Sequence, residues 1–117
     1  MEILNTCSFV AAIIAVADAN EYGFTINASS LEDVKHGYSV AIKETQNSFG
    51  PEGIENVHDA IIAGLADHVG GWLDSETGLY YFDAVRIFTN LDEAMNFARE
   101  NGQIAIFNLD TLEEIRL

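Results

Sequence analysis

Three stretches of the chain carry apolar residues at helical spacing, and six shorter stretches alternate as strands do. The predicted helices run from Leu4 to Ala19, from Gly50 to about His68, and from the cap Asn90 to the stop at Asn101-Gly102. The predicted strands are Phe24–Ala28, Tyr38–Thr45, Gly71–Asp74, Leu79–Phe88, Gln103–Leu109 and Glu113–Leu117. This order, αββαββαββ, predicts an α+β domain with a mainly antiparallel sheet of five or six strands and three helices packed on it.

Local signals mark several ends of these elements. Pro51 suits the first position of a helix, because its missing N–H would have no partner there, and Gly50 before it would be the cap. Asn90 with Glu93 three residues later approximates a capping box. The connection Asp74–Gly78 predicts a hairpin turn with a glycine in a left-handed conformation.

The first predicted helix is apolar on nearly every side. Its main apolar face would consist of Leu4, Cys7, Val10, Ala11, Ile14 and Ala17. Because Phe9, Ile13 and Val16 lie off that face and also need to be covered, we expect a homodimer through this helix. The alternative is a processed segment, although no basic residue precedes the apolar run and the run is too short to span a bilayer.

The composition is that of one folded domain over residues 1–117, with 49% apolar residues. The chain has 19 Asp and Glu against 5 Lys and Arg, which gives a net charge of −14 at pH 7. Such a field repels phosphate backbones and anionic membranes, so we expect neither direct nucleic-acid binding nor membrane binding. A basic protein is the partner that this charge favours.

One row of carboxylates falls on the second predicted helix. Glu52, Glu55 and Asp59 lie off the apolar face of that helix. A row of this kind can attract a basic partner, or imitate the phosphates of a nucleic acid toward a protein that binds one. The alternative is a solvated surface without a binding role, because the remaining acidic residues are spread along the chain.

No residue pattern indicates a catalytic centre, a metal site or a cofactor. His36, His58 and His68 lack the paired spacing that places two imidazoles on one metal ion. Cys7 lies among apolar residues without a basic neighbour to activate it, so we expect a buried, unreactive thiol. We therefore favour a function in binding over one in catalysis.

A second candidate site centres on Asp83, a carboxylate in a strand that is otherwise nearly all apolar. Trp72 and Tyr81 would wall a pocket beside it. The polar loop that leads into the second helix would contribute Thr45, Asn47 and Ser48. The alternative is structural: Asp83 pairs with Arg86 or a tyrosine hydroxyl, and the loop only caps the helix.

Three segments of the chain carry a family resemblance: Ala41–Gly53 (AIKETQNSFGPEG), Gly70–Phe88 (GGWLDSETGLYYFDAVRIF) and Ile104–Leu117 (IAIFNLDTLEEIRL). They resemble a group of small acidic bacterial proteins of gut-bacterial genomes, conjugative elements and phages. The TQNSFG and GGW…YYFD parts are the most specific. The group has no established activity, so the resemblance implies a bacterial, cytoplasmic accessory protein and no particular catalytic residue.

These observations together predict a non-enzymatic accessory protein that binds another macromolecule through its acidic surface. The mobile-element setting implied by the resemblance suggests host or rival nucleic-acid machinery as the target. The alternative is a small-ligand-binding protein, or an enzyme, with a pocket near Asp83 and Trp72. Binding through the acidic surface would weaken as salt is added, because exposed charges are screened.

Overall fold

A six-stranded antiparallel sheet forms the centre of the computed structural model, which describes residues 2–117. Its strands are β1 (Gly23–Asn27), β2 (Tyr38–Ala41), β3 (His68–Leu73), β4 (Tyr80–Phe88), β5 (Ala105–Asn108) and β6 (Glu113–Arg116). They lie in the order β1-β3-β4-β2-β5-β6, so the connection from β1 to β2 passes two intervening strands. The predicted α+β class and the six-stranded sheet are confirmed.

Within the described range three α-helices, α1 (Thr6–Ala19), α2 (Gly50–Ile62) and α3 (Leu91–Glu100), lie on one face of the sheet. Side chains alternate along a strand, so Phe82, Ala84 and Arg86 of β4 share one side. Phe82 and Ala84 belong to one core with residues of α1 and α2, and the Arg86 guanidinium lies over the Phe97 ring of α3. The opposite face, which no described helix covers, carries Tyr81, Asp83, Val85 and Ile87.

The core divides along the sheet according to which helix covers it. Phe9 and Ile13 of α1 and Val57 of α2 are fully buried against β1, β3 and β4. A smaller cluster lies between α3 and the β2-β5 half of the sheet and consists of Val40, Ala94, Ala98 and Ile106. Burial of one large apolar side chain contributes about 1.5–3 kcal/mol, so these contacts hold the helices on the sheet.

The N-terminal helix turns a different face to the core than the sequence predicted. Phe9 and Ile13, expected off the buried face, are fully buried, whereas Cys7, Ala11 and Ile14 of the expected face are exposed. A helix that is apolar all round carries little directional signal, so its contact with α2 decides which side is buried. Phe9 and Ile13 fill the core of their own chain and are not available to a second copy, so the predicted homodimer would have to use the exposed side of α1.

Two predicted elements end earlier than expected. β2 stops at Ala41, and Lys43–Thr45 form a turn of 3₁₀-helix. The Thr45 side chain, and not the backbone of a strand, then accepts the hydrogen bond from the Ala84 N–H of β4. α2 ends at Ile62, because Gly64 has a left-handed φ of 79°, a conformation that commonly terminates helices. His68, expected at the end of this helix, instead begins β3.

The capping and turn signals are confirmed where they are local. The Asn90 side chain accepts a hydrogen bond from the Glu93 N–H at 3.0 Å and caps α3. Gly78 has a left-handed φ of 73° in the turn between β3 and β4. Pro51 lies in the first turn of α2, although the cap is Phe49 and Gly50 is already helical.

Candidate functional site

The three carboxylates of the acidic row lie together on the exposed side of α2. Glu52, Glu55 and Asp59 are exposed, while Ile54 and Val57 on the other side of the helix are buried. In the part of the chain that the structure describes, none of the three has a cationic group within ion-pair distance. The ion pairs found there are His36–Asp110, His68–Asp67 and Arg116–Glu114.

A shallow groove of about 280 Å³ runs beside this row. Asp59 lines it together with Glu44, a residue of the 3₁₀ turn, and Leu65 supplies part of the apolar wall. Sequence reasoning missed Glu44, because the strand predicted through Thr45 gave no reason to place it against α2. The groove adds a fourth carboxylate to the acidic surface.

The helix-free face of the sheet brings Trp72, Tyr81 and Asp83 together. In the antiparallel pairing of β3 with β4, Trp72 lies opposite Tyr81, and Gly70 lies opposite Asp83. The rings of Trp72 and Tyr81 stack with their centroids 4.9 Å apart and their planes at 20°. Because Gly70 has no side chain, the indole of Trp72 can pass beside it and reach diagonally from β3 to the Asp83 carboxylate on β4.

The two oxygens of Asp83 have different environments. Trp72 Nε1 donates a hydrogen bond to Oδ2 at 3.2 Å. Oδ1 accepts from no donor among residues 2–117, and since no fully buried side-chain oxygen in that range lacks a partner, it is not completely buried. Burial raises the pKa of Asp83 to about 6, and the Trp72 hydrogen bond partly opposes this shift. The carboxyl group therefore exchanges a proton near pH 6.

Phe49 also lines the site of Trp72, Tyr81 and Asp83, and the sequence did not predict its presence there. Its backbone makes an isolated antiparallel bridge with Tyr81, and its ring meets the Tyr81 ring edge-on, with the centroids 5.8 Å apart. Phe49 is 45% exposed and Trp72 is 46% exposed. We call Phe49, Tyr81 and Trp72 the aromatic ledge. No local sequence signal places Phe49 there, because its position depends on the 3₁₀ turn that precedes it.

The loop expected to contribute to this pocket has a structural role instead. Thr45 and Ser48 are buried; Thr45 Oγ1 accepts from the Ala84 N–H at 3.1 Å, and the Ser48 carbonyl accepts from the Phe82 N–H at 2.8 Å. Asn47 is exposed and adopts a left-handed φ of 61°. The loop thus extends the sheet along the edge of β4, and no described hydrogen bond links it to Asp83.

Arg86, the partner considered for Asp83, lies on the opposite face of the sheet. Its guanidinium is 5.2 Å from the centroid of the Phe97 ring, and the residue lines a groove of about 440 Å³ with Ile61 and Ile62. An ion pair between Asp83 and Arg86 is therefore wrong. The Asp83 carboxylate has no cationic partner among the described residues.

The histidines and the cysteine form no reactive cluster in the described part of the chain. No group of three or more His, Cys, Asp and Glu side chains is arranged there to hold a metal ion. His58 is buried and its Nε2 lies 2.9 Å from the Leu4 carbonyl, which ties α2 to the start of the chain. Cys7, expected in the core, is exposed. No helix between residues 2 and 117 has the length and apolar character needed to span a bilayer.

Neither a family model, nor a curated protein, nor a solved structure matches the chain significantly. The choice among candidate functions therefore depends on the arrangement of the chain's own residues.

Proposed function

We propose that the protein is a non-enzymatic accessory protein that binds a basic partner protein through the acidic row of α2. The observation that carries this proposal is the exposure of Glu52, Glu55 and Asp59 without a cation at ion-pair distance among the described residues. The net charge of −14 reinforces the local field. Carboxylates held on a rigid helix keep a fixed pattern that a complementary basic surface can recognise.

A protein that binds nucleic acid is the partner that fits this surface best. Such proteins carry rows of Lys and Arg that neutralise the phosphates of the nucleic acid. A row of exposed carboxylates is negatively charged, as those phosphates are. The resemblance to bacterial proteins of mobile elements favours host or rival machinery in the cytoplasm as the source of that partner.

The acidic row is expected to act chiefly on the rate of encounter. Complementary charge steers a partner into contact and raises its association rate, and added salt screens this effect within about 10 Å at 0.1 M. A partner bound in this way is retained at low salt and released at high salt. Salt dependence is therefore the property to measure.

The test compares two triple variants that change the net charge equally. One carries Glu52→Gln, Glu55→Gln and Asp59→Asn on the acidic row. The matched control carries Asp18→Asn, Glu100→Gln and Glu113→Gln at exposed positions on α1, α3 and β6. For a basic partner captured from lysate at low salt and then purified, we expect only the first variant to slow association and to flatten its salt dependence. Equal association rates for wild type and both variants would refute the proposal.

A small-ligand site is the second candidate, favoured by the free oxygen of Asp83 beside an exposed indole. It makes the opposite prediction for the same proteins. Replacement of Asp83 or Trp72 would remove binding of the ligand, and the triple change on α2 would leave it intact.

A further inference from the structure

The aromatic ledge and the acidic row adjoin at the start of α2. Phe49 caps this helix, and its carbonyl accepts from the Gly53 N–H at 3.0 Å, so Glu52 lies within one helical turn of Phe49. The ring of Phe49 meets Tyr81 on the helix-free face of the sheet. The ledge and the acidic row are therefore connected through the first turn of α2, although α2 itself packs on the opposite face of the sheet.

The ledge has the composition of an interaction hot spot. Its two outer members, Phe49 and Trp72, are nearly half exposed, although large aromatic rings are normally the most favourable groups to bury. Interface centres are enriched in tryptophan, tyrosine and arginine, which meet in desolvated pockets. The exposed rings indicate a surface that is covered in a complex.

One face of the Trp72 indole lacks a cross-strand neighbour. Tyr81 covers the side toward β4, whereas the residue opposite Trp72 on β1 is Gly23. A larger residue does not fit there: Gly23 has a φ of 152°, and a Cβ atom on it would lie 2.7 Å from the Gly71 carbonyl oxygen. The indole face turned away from Tyr81 and the Oδ1 atom of Asp83 are thus both without a described partner, and the hydrogen bond from Nε1 to Oδ2 holds the two side chains together.

These two groups match the chemistry of an arginine side chain. A guanidinium is planar and weakly hydrated, so it stacks on an indole face and still donates N–H bonds within its plane, which a lysine ammonium does less well. A carboxylate oxygen without a protein donor accepts such a bond strongly. A second copy of this chain is a poor occupant, because two molecules of charge −14 repel each other.

We propose that Trp72 and Asp83 form a seat for an arginine side chain of the basic partner, with the guanidinium stacked on the indole and one N–H donated to Asp83 Oδ1. The statement that this arginine belongs to a basic partner protein rests on the proposed function. The seat itself rests on the geometry of the ledge, so the two proposals can fail separately.

The experiment uses Trp72 as its own reporter, because it is the only tryptophan of the chain. Its fluorescence is followed during titration with N-acetyl-arginine amide at constant ionic strength, and in parallel with N-acetyl-citrulline amide, whose neutral urea group replaces the guanidinium. The titrations are carried out at about pH 8, where a carboxyl group with a pKa of about 6 is ionised. The Asp83→Asn variant retains an oxygen that accepts from the indole N–H, and Asp18→Asn is the exposed control.

We expect a saturable change with the arginine compound, and a midpoint about tenfold higher with the citrulline compound or in Asp83→Asn. Asp18→Asn and the triple variant of the acidic row should titrate like wild type. Equal binding of the two compounds, or unchanged binding by Asp83→Asn, would overturn the seat. Trp72→Phe, followed by the amide resonances of Gly70 and Gly71, gives a second readout and should weaken binding as well.

The two proposals are separated by a simple comparison. Selective binding of the arginine compound without any salt-sensitive basic partner would overturn the proposed function and retain the seat. A salt-sensitive partner that binds Asp83→Asn as tightly as wild type would overturn the seat and retain the proposed function.

Discussion

Trp72 and Asp83 lie on neighbouring strands, face the same side of the sheet and are joined by a hydrogen bond of 3.2 Å from the indole Nε1 to the carboxylate Oδ2. This is the only described hydrogen bond of the carboxylate, and no cation accompanies it. The protein therefore holds a negative charge in a partly buried position with incomplete compensation. Such a group is sensitive both to pH and to any cation that reaches it.

The first prediction concerns the stability of the Asp83→Asn variant. Burial raises the pKa of Asp83 from 3.8 in a model compound to about 6 in the folded protein, so the fold disfavours the ionised form. Asp83 thus costs stability as pH rises from about 4 to 6, and the cost is complete above that range. Asn removes the charge and keeps an acceptor for the indole, so we expect the variant to be more stable than wild type at neutral pH by about 1–2 kcal/mol, after allowance for solvent screening.

Urea unfolding at about pH 4 and at about pH 8 measures this difference. The gain in Asp83→Asn over wild type should be small at the lower pH and full at the higher one. A variant that is less stable than wild type at the higher pH would show that Asp83 is a stabilising anchor after all.

The second prediction concerns the hydrogen-bond donor. Because the Trp72 N–H bonds to the ionised carboxylate, it lowers the pKa of Asp83 against the larger effect of burial. Trp72→Phe keeps an aromatic ring in place but removes this donor, so the pKa of Asp83 should rise further above 6. The carboxyl carbon resonance of Asp83, followed by NMR through a pH titration, reports the shift directly. An unchanged or lower midpoint in the variant would contradict the bond.

The third prediction distinguishes the two sides of α1. Phe9 is fully buried against α2 and its ring lies 5.0 Å from that of His58, so Phe9→Ala should cost about 3–5 kcal/mol of unfolding free energy. Ala11 is exposed, and Ala11→Glu should leave the stability within about 0.5 kcal/mol of wild type. If the two variants lost similar stability, the assignment of the buried face would be wrong.

The Ala11→Glu variant also tests the predicted homodimer. Self-association through α1 would have to use its exposed side, which carries Cys7, Ala11 and Ile14 and is preceded by the exposed Leu4. In sedimentation experiments at micromolar concentration, Ala11→Glu should then convert a dimer into a monomer. A wild-type protein that sediments as a monomer would remove the homodimer from consideration.

The fourth prediction is that the thiol of Cys7 reacts in the native protein. Cys7 lies on the exposed side of α1. A disulfide reagent in excess, without denaturant, should therefore modify one thiol per chain, and denaturant should not increase that number. Protection in the folded state would place Cys7 in an interface, which is also where a dimer through α1 would bury it.

Features that depend on neighbouring residues alone were predictable from the sequence. The cap at Asn90 and the turn at Gly78 follow from side-chain and glycine chemistry within a few residues, and both are confirmed. The face of α1 was not predictable, because an all-apolar helix is oriented by the elements that cover it. The position of Phe49 was not predictable for the same reason, since its contact with Tyr81 requires the preceding turn to lie beside β4.

The rejected pair of Asp83 with Arg86 is a different case, because the sequence already argued against it. Side chains alternate along a strand, so residues three positions apart face opposite sides. The same rule correctly joins Tyr81 with Asp83, two positions apart. What the rule could not supply was Trp72 as the donor, which depends on the register of β3 against β4.

The strand order also determines how the sheet can be assembled. β3 and β4 are joined by a short turn, as are β5 and β6, so these two hairpins pair at small loop-closure cost, whereas β1 and β2 follow each other in the chain and do not pair with each other. β1 then adds to the free edge of β3, and β2 to the free edge of β4. The pairing that sets the register of Trp72 against Asp83 is consequently local in the chain, and we expect it to form before β1 and β2 reach their partners through longer connections.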